Sequence, residues 1–357
     1  MHVANHTLEG SRCEAIPRQP VSHRALIGAV EGTLADFLAS QIAALDAVDP
    51  ALGGFARTAR DLVMAGGKRL RPTFAYWGWR GVVGSAEPVE AVLPALGALE
   101  LMHTFALVHD DLMDESDTRR GRPTAHRIFA SQHGGHFGGS AAILVGDLCL
   151  VWADQLLSRT RLPAAALLDV RDRYDRMRVE AIAGQYLDVL GESDPSSWSV
   201  ERALTVARHK TASYTIQWPL SFGAALAGGD RRLDEAYRVY GITVGEAFQL
   251  RDDLLGVYGD PAVTGKPAAD DLRTGKPTTL LMMAKRMATP VQLAAFDTGD
   301  IALRAEIIAE TGAPARVEEM IKLRVDEGVA ALSEAPIHPD ARAELIELAT
   351  VATHRPA

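Results

Sequence analysis

The stretch "LMHTFALVHDDLMDESDTRRGRPTAH", residues 101–126, decides how the chain is read. Apolar residues run through its first half at three- and four-residue spacing, the periodicity of a helix. Asp110, Asp111 and Asp114 are set into that helix, with Glu115 and Asp117 just beyond and Arg119 and Arg120 directly after them. Asp110 and Asp114 lie one turn apart and Asp111 is about 100° round from Asp110, so the three carboxylates can face one space. Crowding like charges on an apolar helix is expensive unless cations are brought to them.

A second cluster repeats the arrangement. "GEAFQLRDDLLGVYGD", residues 245–260, places Asp252 and Asp253 side by side on another apolar helix, with Asp260 beyond. A single acidic run is more often a solvated face. Here the flanks "FALVHDDLM" and "AFQLRDDLLGV" are apolar, which favours a site. Hard oxygen ligands with few histidines among them suit Mg²⁺, a cation that shares its shell with water and substrate phosphates, so the expected substrate is a diphosphate. The basic stations fit that charge: "GGKRLRP" (66–72) offers Lys68, Arg69 and Arg71, "RHKTASYT" (208–215) offers Lys210 and Thr211, and two Gly-Lys turns offer Lys266 and Lys276. Forked guanidiniums grip phosphate oxygens in pairs, and lysine adds a mobile point charge.

Outward from these clusters, helical periodicity runs through 25–47, 90–114, 140–158, 164–190, 201–227, 233–257 and 317–333, rich in alanine and leucine. Hairpin signals are scarce, so the chain reads as all-α. Loops are expected at "GG" 66–67, "GGHFGG" 134–139, "AGGD" 227–230 and 259–278. The 357 residues are expected to form one domain over 25–357 behind a flexible arm, 1–24. A formal net charge of -9 argues against a nucleic-acid partner. Cys13 and Cys149 are too few and too far apart for a disulfide framework, which fits a reducing cytoplasm. The N-terminus lacks the apolar run of a secretion signal. The most apolar stretch, "SAAILVGDLCLVWADQLL", is interrupted by Asp147 and Asp154, so no membrane insertion is expected.

Taken in order, "GGKRLRP", "HDDLMDESDTRRGRPTAH", "GQYLD", "KT", "GEAFQLRDD" and "GDPAVTGK" resemble the trans-type isoprenyl diphosphate synthases of the polyprenyl synthetase family, bacterial geranylgeranyl diphosphate synthases among them. The resemblance spans about residues 25–350. It implies an all-α, single-domain helical bundle around a deep central cavity, commonly a homodimer, with three Mg²⁺ ions bridging the two aspartate motifs to an allylic diphosphate. Carried over position by position, it implies that Asp110, Asp114 and Asp252 ligate the metal, with Asp111 and Asp253 supporting them directly or through water. Arg119, Lys210, Thr211, Gln249, Lys266 and Lys276 resemble the allylic-diphosphate contacts. Lys68, Arg71, His103 and Arg120 resemble the isopentenyl diphosphate pocket. The implied reaction is ionisation of the allylic diphosphate, attack by the isopentenyl double bond, and loss of a proton to the departing diphosphate.

Phe105 precedes Asp110 by five residues, about 7.5 Å along a helix rising 1.5 Å per residue, on the wall expected to bound the growing tail. Ala106 beside it is small. One aromatic and no insertion in the first motif resembles makers of the twenty-carbon geranylgeranyl diphosphate; farnesyl or longer products are the alternatives. Two departures stand out. The last position of the second aspartate motif is Gly256, and Gln217 and Trp218 stand where a more charged pair is expected. A class I terpene cyclase also uses aspartate-rich helices, but it needs no isopentenyl pocket at Lys68 and Arg71. A non-catalytic regulatory subunit would carry eroded acidic motifs, whereas the first is intact.

Overall fold

Ser22, Asp49, Ser199, Thr278, Thr289 and Asp300 each accept a hydrogen bond from a backbone N–H two or three residues on, and each opens a helix. The computed structural model describes residues 22–84, 87–229, 231–259 and 269–353. In chain order the first helices are α1 (His23–Asp46), α2 (Pro50–Val63), α3 (Leu70–Val83) and α4 (Leu93–Met113). A two-stranded antiparallel turn follows, β1 (Thr118–Arg119) with β2 (Arg122–Pro123). Next come α5 (Ala125–His133), α6 (Gly135–Leu157), α7 (Ala164–Ser193), α8 (Val200–Val206), a π-helical segment (Ala207–Gln217), α9 (Trp218–Leu226) and α10 (Arg231–Tyr258). The last are α11 (Asp270–Thr274), α12 (Thr279–Met287), α13 (Pro290–Thr298), α14 (Ile301–Glu310), α15 (Ala313–Ser333) and α16 (Pro339–Thr353).

Two buried clusters hold these helices together. In the larger, Leu96, Leu99 and Met102 of α4 pack with Val145, Trp152 and Leu156 of α6, and Phe37 of α1 meets Trp152 edge-on at 6.5 Å between ring centroids. The smaller gathers Leu272, Leu280, Ile308, Val317 and Ile321 around the C-terminal half of α10. Helix α10 belongs to both, with Tyr237, Tyr240 and Val244 in the first cluster and Leu250, Leu254 and Val257 in the second. Asp252 and Asp253 therefore sit on a helix clamped along its length.

Every stretch with predicted helical periodicity is helical, with three differences. "GGHFGG" is not a loop, because α6 begins at Gly135 and runs through Gly138 and Gly139. The single helix expected over 201–227 is broken by the eleven-residue π segment. The loop expected over 259–278 contains α11. The predicted arm overlaps α1 at its end, and its residues 1–21, Cys13 included, lie outside the described residues. Helices α1 and α6 are long and apolar enough, by length and composition, to cross a membrane. In α6 half of the most apolar window is buried inside the protein, and Asp154 is paired with Arg171 and Arg178 of α7.

The π segment is what aims the next part of the site. A π turn admits an extra residue and rotates the side chains that follow it, an arrangement concentrated at functional positions. Neighbouring helices accept the widened backbone at glycines: a Cβ on Gly184 of α7 would come within 2.7 Å of the His209 carbonyl carbon, and one on Gly245 of α10 within 2.5 Å of the Ala212 Cβ. Alanine at either position would push the segment out of place.

Candidate active site

The last turn of α4 delivers the first acidic cluster. Asp110 accepts hydrogen bonds at Oδ1 from Lys210 Nζ (2.9 Å) and Gln185 Nε2 (3.0 Å), and at Oδ2 from Arg119 Nη2 (3.0 Å). Burial pushes this carboxyl up, but Lys210 and Arg119 outweigh it and hold it at about 2. Asp111 is buried and accepts from Arg119 Nε at 2.7 Å. Its acid is raised by burial, with Arg119 opposing. Asp114 caps α4, exposed on its outer side, and desolvation together with the Asp110 charge raises it to about 6.

Cations from three further elements close on this cluster. Strand β1 carries Arg119, the π segment carries Lys210, and the turn after α11 carries Lys276. Lys210 also donates to Asp188 Oδ2 of α7 at 2.5 Å, where Lys276 Nζ approaches to 2.8 Å, and Lys276 lies 3.3 Å from Glu192. Burial favours the neutral forms of Asp188 and Lys276, but their mutual attraction wins: Asp188 is held below its ordinary value and Lys276 well above.

In the second cluster Asp252 is half-buried and Asp253 is buried. Asp253 accepts at Oδ1 from Gln249 Nε2 (2.9 Å) and at Oδ2 from the Thr279 backbone N–H (3.0 Å). Gln249 Oε1 in turn accepts from Thr211 Oγ1 at 2.8 Å, which ties the π segment to α10 and α12. Burial raises the Asp253 carboxyl to about 7, against the Gln249 hydrogen bond and with help from the Asp271 and Asp252 charges.

A predominantly basic end lies beside these carboxylates. Arg71 stacks its guanidinium 4.0 Å above the Tyr214 ring and donates to Thr215 Oγ1 at 2.9 Å, while its buried Nε has no hydrogen-bond partner among the described residues. The Tyr214 hydroxyl meets His103 Nδ1 at 3.3 Å. Burial, then the charges of Arg71, Arg120, Arg119 and Arg69, lower His103 well below its ordinary value, so its ring is neutral at pH 7. Arg120 donates to the Gly66 carbonyl, with Lys68 exposed on the same turn. Arg69 is structural: buried, it binds Glu100 at 2.5 Å and the Val63 carbonyl at 3.0 Å.

The fold thus gathers Asp110, Asp111, Asp114, Arg119, Lys210 and Lys276 into one charge network and Thr211, Gln249 and Asp253 into one hydrogen-bonded chain. Lys68, Arg71, His103 and Arg120 fall at the neighbouring basic end. Phe105 stacks edge-on against His109 at 4.8 Å between ring centroids, and the His109 ring fills the notch left by Gly146. Trp218 Nε1 donates to Glu180 at 3.0 Å. Asp260 and Lys266 lie outside the described residues. Sequence reasoning assigned no role to Gln185 and Asp188, although both lie in the motif "GQYLD"; α7 carries many other charged residues, so one more aspartate does not stand out on it. Among the described residues no three His, Cys, Asp or Glu side chains close into a metal cage. A hard cation held here completes its shell with water and the oxygens of a bound anion.

Residues 54–299 match the family described as Polyprenyl synthetase. The geranylfarnesyl diphosphate synthase of Aeropyrum pernix is 33% identical over 297 residues, 80% of this chain and 89% of the relative. The geranylgeranyl diphosphate synthase of Mycobacterium tuberculosis is 34% identical over 269 residues, 73% of this chain and 72% of the relative. The crystal structure of geranylgeranyl pyrophosphate synthase from Corynebacterium glutamicum, complexed with isoprenyl diphosphate and magnesium, superposes with a TM-score of 0.89 at 42% identity, covering 94% of this chain and all of that one.

Proposed function

Because the chain belongs to the polyprenyl synthetase family, we propose that this trans-prenyltransferase condenses isopentenyl diphosphate with allylic diphosphates and that its main product is geranylgeranyl diphosphate. The observation that carries the reading is the pairing of two unlike anion-receiving ends. At one, carboxylates alternate with Arg119, Lys210 and Lys276, as a diphosphate bound through a divalent cation requires. At the other, Arg71 and Arg120 stand near a neutral His103, as a second diphosphate bound without metal requires. A cyclase has no use for the second end.

The all-oxygen donor set fits Mg²⁺, the ion in the Corynebacterium glutamicum complex. We assign its coordination to Asp110, Asp114 and Asp252, three ions being the family's number. When bound, Mg²⁺ neutralises the charge that grows on the diphosphate as the allylic C–O bond breaks. Arg119, Lys210 and Lys276 then exchange carboxylate partners for diphosphate oxygens and stabilise the same charge. Thr211 and Gln249 hold the π segment in register against α10, and Lys266 adds a further contact. Arg71, Arg120, Lys68 and His103 hold the isopentenyl diphosphate so that its double bond faces the allylic carbon. The proton lost afterwards goes to the departing diphosphate, and apolar walls keep water from the cation.

Phe105, fixed by His109, and the small Ala106 set the length of the tail in this reading. Homodimerisation is supported by an apolar outer face: Leu144 and Val151 of α6 and Val179, Ile182 and Tyr186 of α7 are all exposed, Tyr186 by 68%. The whole of 25–357 acts as one domain, in the cytoplasm. Incubating the protein with isopentenyl diphosphate and each of the five-, ten- and fifteen-carbon allylic diphosphates, with Mg²⁺ or with chelator, tests the assignment. A linear twenty-carbon diphosphate formed only with Mg²⁺ supports it. Cyclic hydrocarbon made without isopentenyl diphosphate overturns the reaction, and a different linear length overturns the product.

A further inference from the structure

The glycine that interrupts the second aspartate motif is not simply a missing carboxylate. Gly256 follows Asp252 by four residues on α10, so the two positions share a helix face. A Cβ built on Gly256 would fall inside contact distance of Asp271 Oδ2, 2.7 Å from its Cγ and 3.3 Å from its Oδ1. The carboxylate of Asp271, fifteen residues further on, thus fills the volume where a side chain at 256 would begin. Its backbone is anchored there: the Asp271 carbonyl accepts from the N–H groups of Gly275 and Lys276, the latter at 3.0 Å. That turn is the one that carries Lys276 to Asp188, so α11 brings a carboxylate to one acidic cluster and an ammonium to the other.

We propose that Asp271 is the third carboxylate of the second acidic cluster, standing beside Asp252 and Asp253 in the place a residue-256 side chain would take and binding the divalent cation–diphosphate directly or through water. This rests on the reading of the site as a metal–diphosphate centre. It assigns Gly256 a reason: only a residue without Cβ leaves Asp271 its position. Restoring an aspartate at 256 therefore sets two carboxylates against each other in one volume instead of completing the motif.

The test is calorimetric binding of inorganic diphosphate to the full-length protein at fixed Mg²⁺, with no turnover. Asp271→Ala weakens binding by about tenfold, the scale on which loss of an outer-shell metal partner acts. Gly256→Asp also weakens it, whereas the double variant Gly256→Asp/Asp271→Ala, which moves the carboxylate back onto α10, binds more tightly than either single variant. Asp271→Asn, isosteric and able to keep the backbone turn, carries the test if the alanine variant does not fold, as judged by its melting in chelator. Asp271 variants that bind like the wild type, or a Gly256→Asp variant that binds more tightly than the wild type, overturn the proposal and leave the diphosphate reading standing. A wild-type protein with no Mg²⁺-dependent diphosphate binding overturns both.

Discussion

Asp253→Asn is expected to stabilise the protein at alkaline pH while weakening catalysis. Asp253 is 3% exposed, and its carboxyl is raised from 3.8 to about 7, principally by burial. At about 1.4 kcal/mol per pH unit, holding that carboxylate ionised in the fold costs about 4 kcal/mol. Because the folded value lies above the unfolded one, the native state keeps a proton that the unfolded chain has released. Stability therefore falls as pH rises from 3.8 to about 7, and the full cost persists above. Asparagine imitates the protonated acid: its oxygen accepts from Thr279 N–H, but its amide faces the Gln249 amide, which loses one hydrogen bond, about 1 kcal/mol. The net gain is about 3 kcal/mol at pH 8 and close to zero at about pH 4.5, where only about 1 kcal/mol of the ionisation cost has developed. Urea unfolding in chelator at both pH values reads it. A variant no more stable than the wild type at pH 8, or one whose gain is the same at both, refutes the reasoning.

Lys210→Ala removes the ammonium shared by Asp110 and Asp188, and kcat/KM should drop by about a thousandfold, with little change in KM for isopentenyl diphosphate, in a steady-state assay. Arg71→Lys keeps the charge but loses the fork and the stacking on Tyr214, so KM for isopentenyl diphosphate should rise by about tenfold with kcat nearly unchanged. Phe105→Ala should shift the product mixture to chains longer than twenty carbons, read by chromatography of the dephosphorylated alcohols; an unchanged distribution removes Phe105 from the length determinants.

The parts of this protein that were legible in the sequence are those where chemistry and periodicity coincide. Asp110 and Asp252 stood out because a charge in an apolar helix has few structural uses, and α4 and α10 are regular enough for spacing to predict which residues share a face. "GGHFGG" misled because glycine there serves packing between helices: a Cβ on Gly138 would come within 2.8 Å of the Ala130 backbone nitrogen, so α5 and α6 can meet only without it. The π segment left no trace in the pattern, since "ARHKTASYTIQ" holds too few large apolar residues for one extra residue per turn to show in their spacing. Asp188 and Asp271 were out of reach for a different reason. Their partners lie 78 residues before the one, at Asp110, where Lys210 joins them, and 15 residues before the other, at Gly256, and only the fold brings them together.

The two aspartate pairs are built in the same way. In each, the second member is buried and held by protein donors: Asp111 by the Arg119 guanidinium, Asp253 by Gln249 and the Thr279 N–H. The first member is more open, and the cations on Asp110 come from side chains that can turn to a substrate. A buried carboxylate held by fixed protein donors is poorly placed to meet a metal, but it fixes the stretch of helix from which its neighbour projects. On the proposed reading, ligation falls to Asp110, Asp114 and Asp252, and Asp111 and Asp253 set their aim. That arrangement also explains how the site survives without substrate. Arg119, Lys210 and Lys276 balance Asp110, Asp111 and Asp188 in the free protein, and on the same reading a metal–diphosphate, carrying charge of both signs, takes over those pairings.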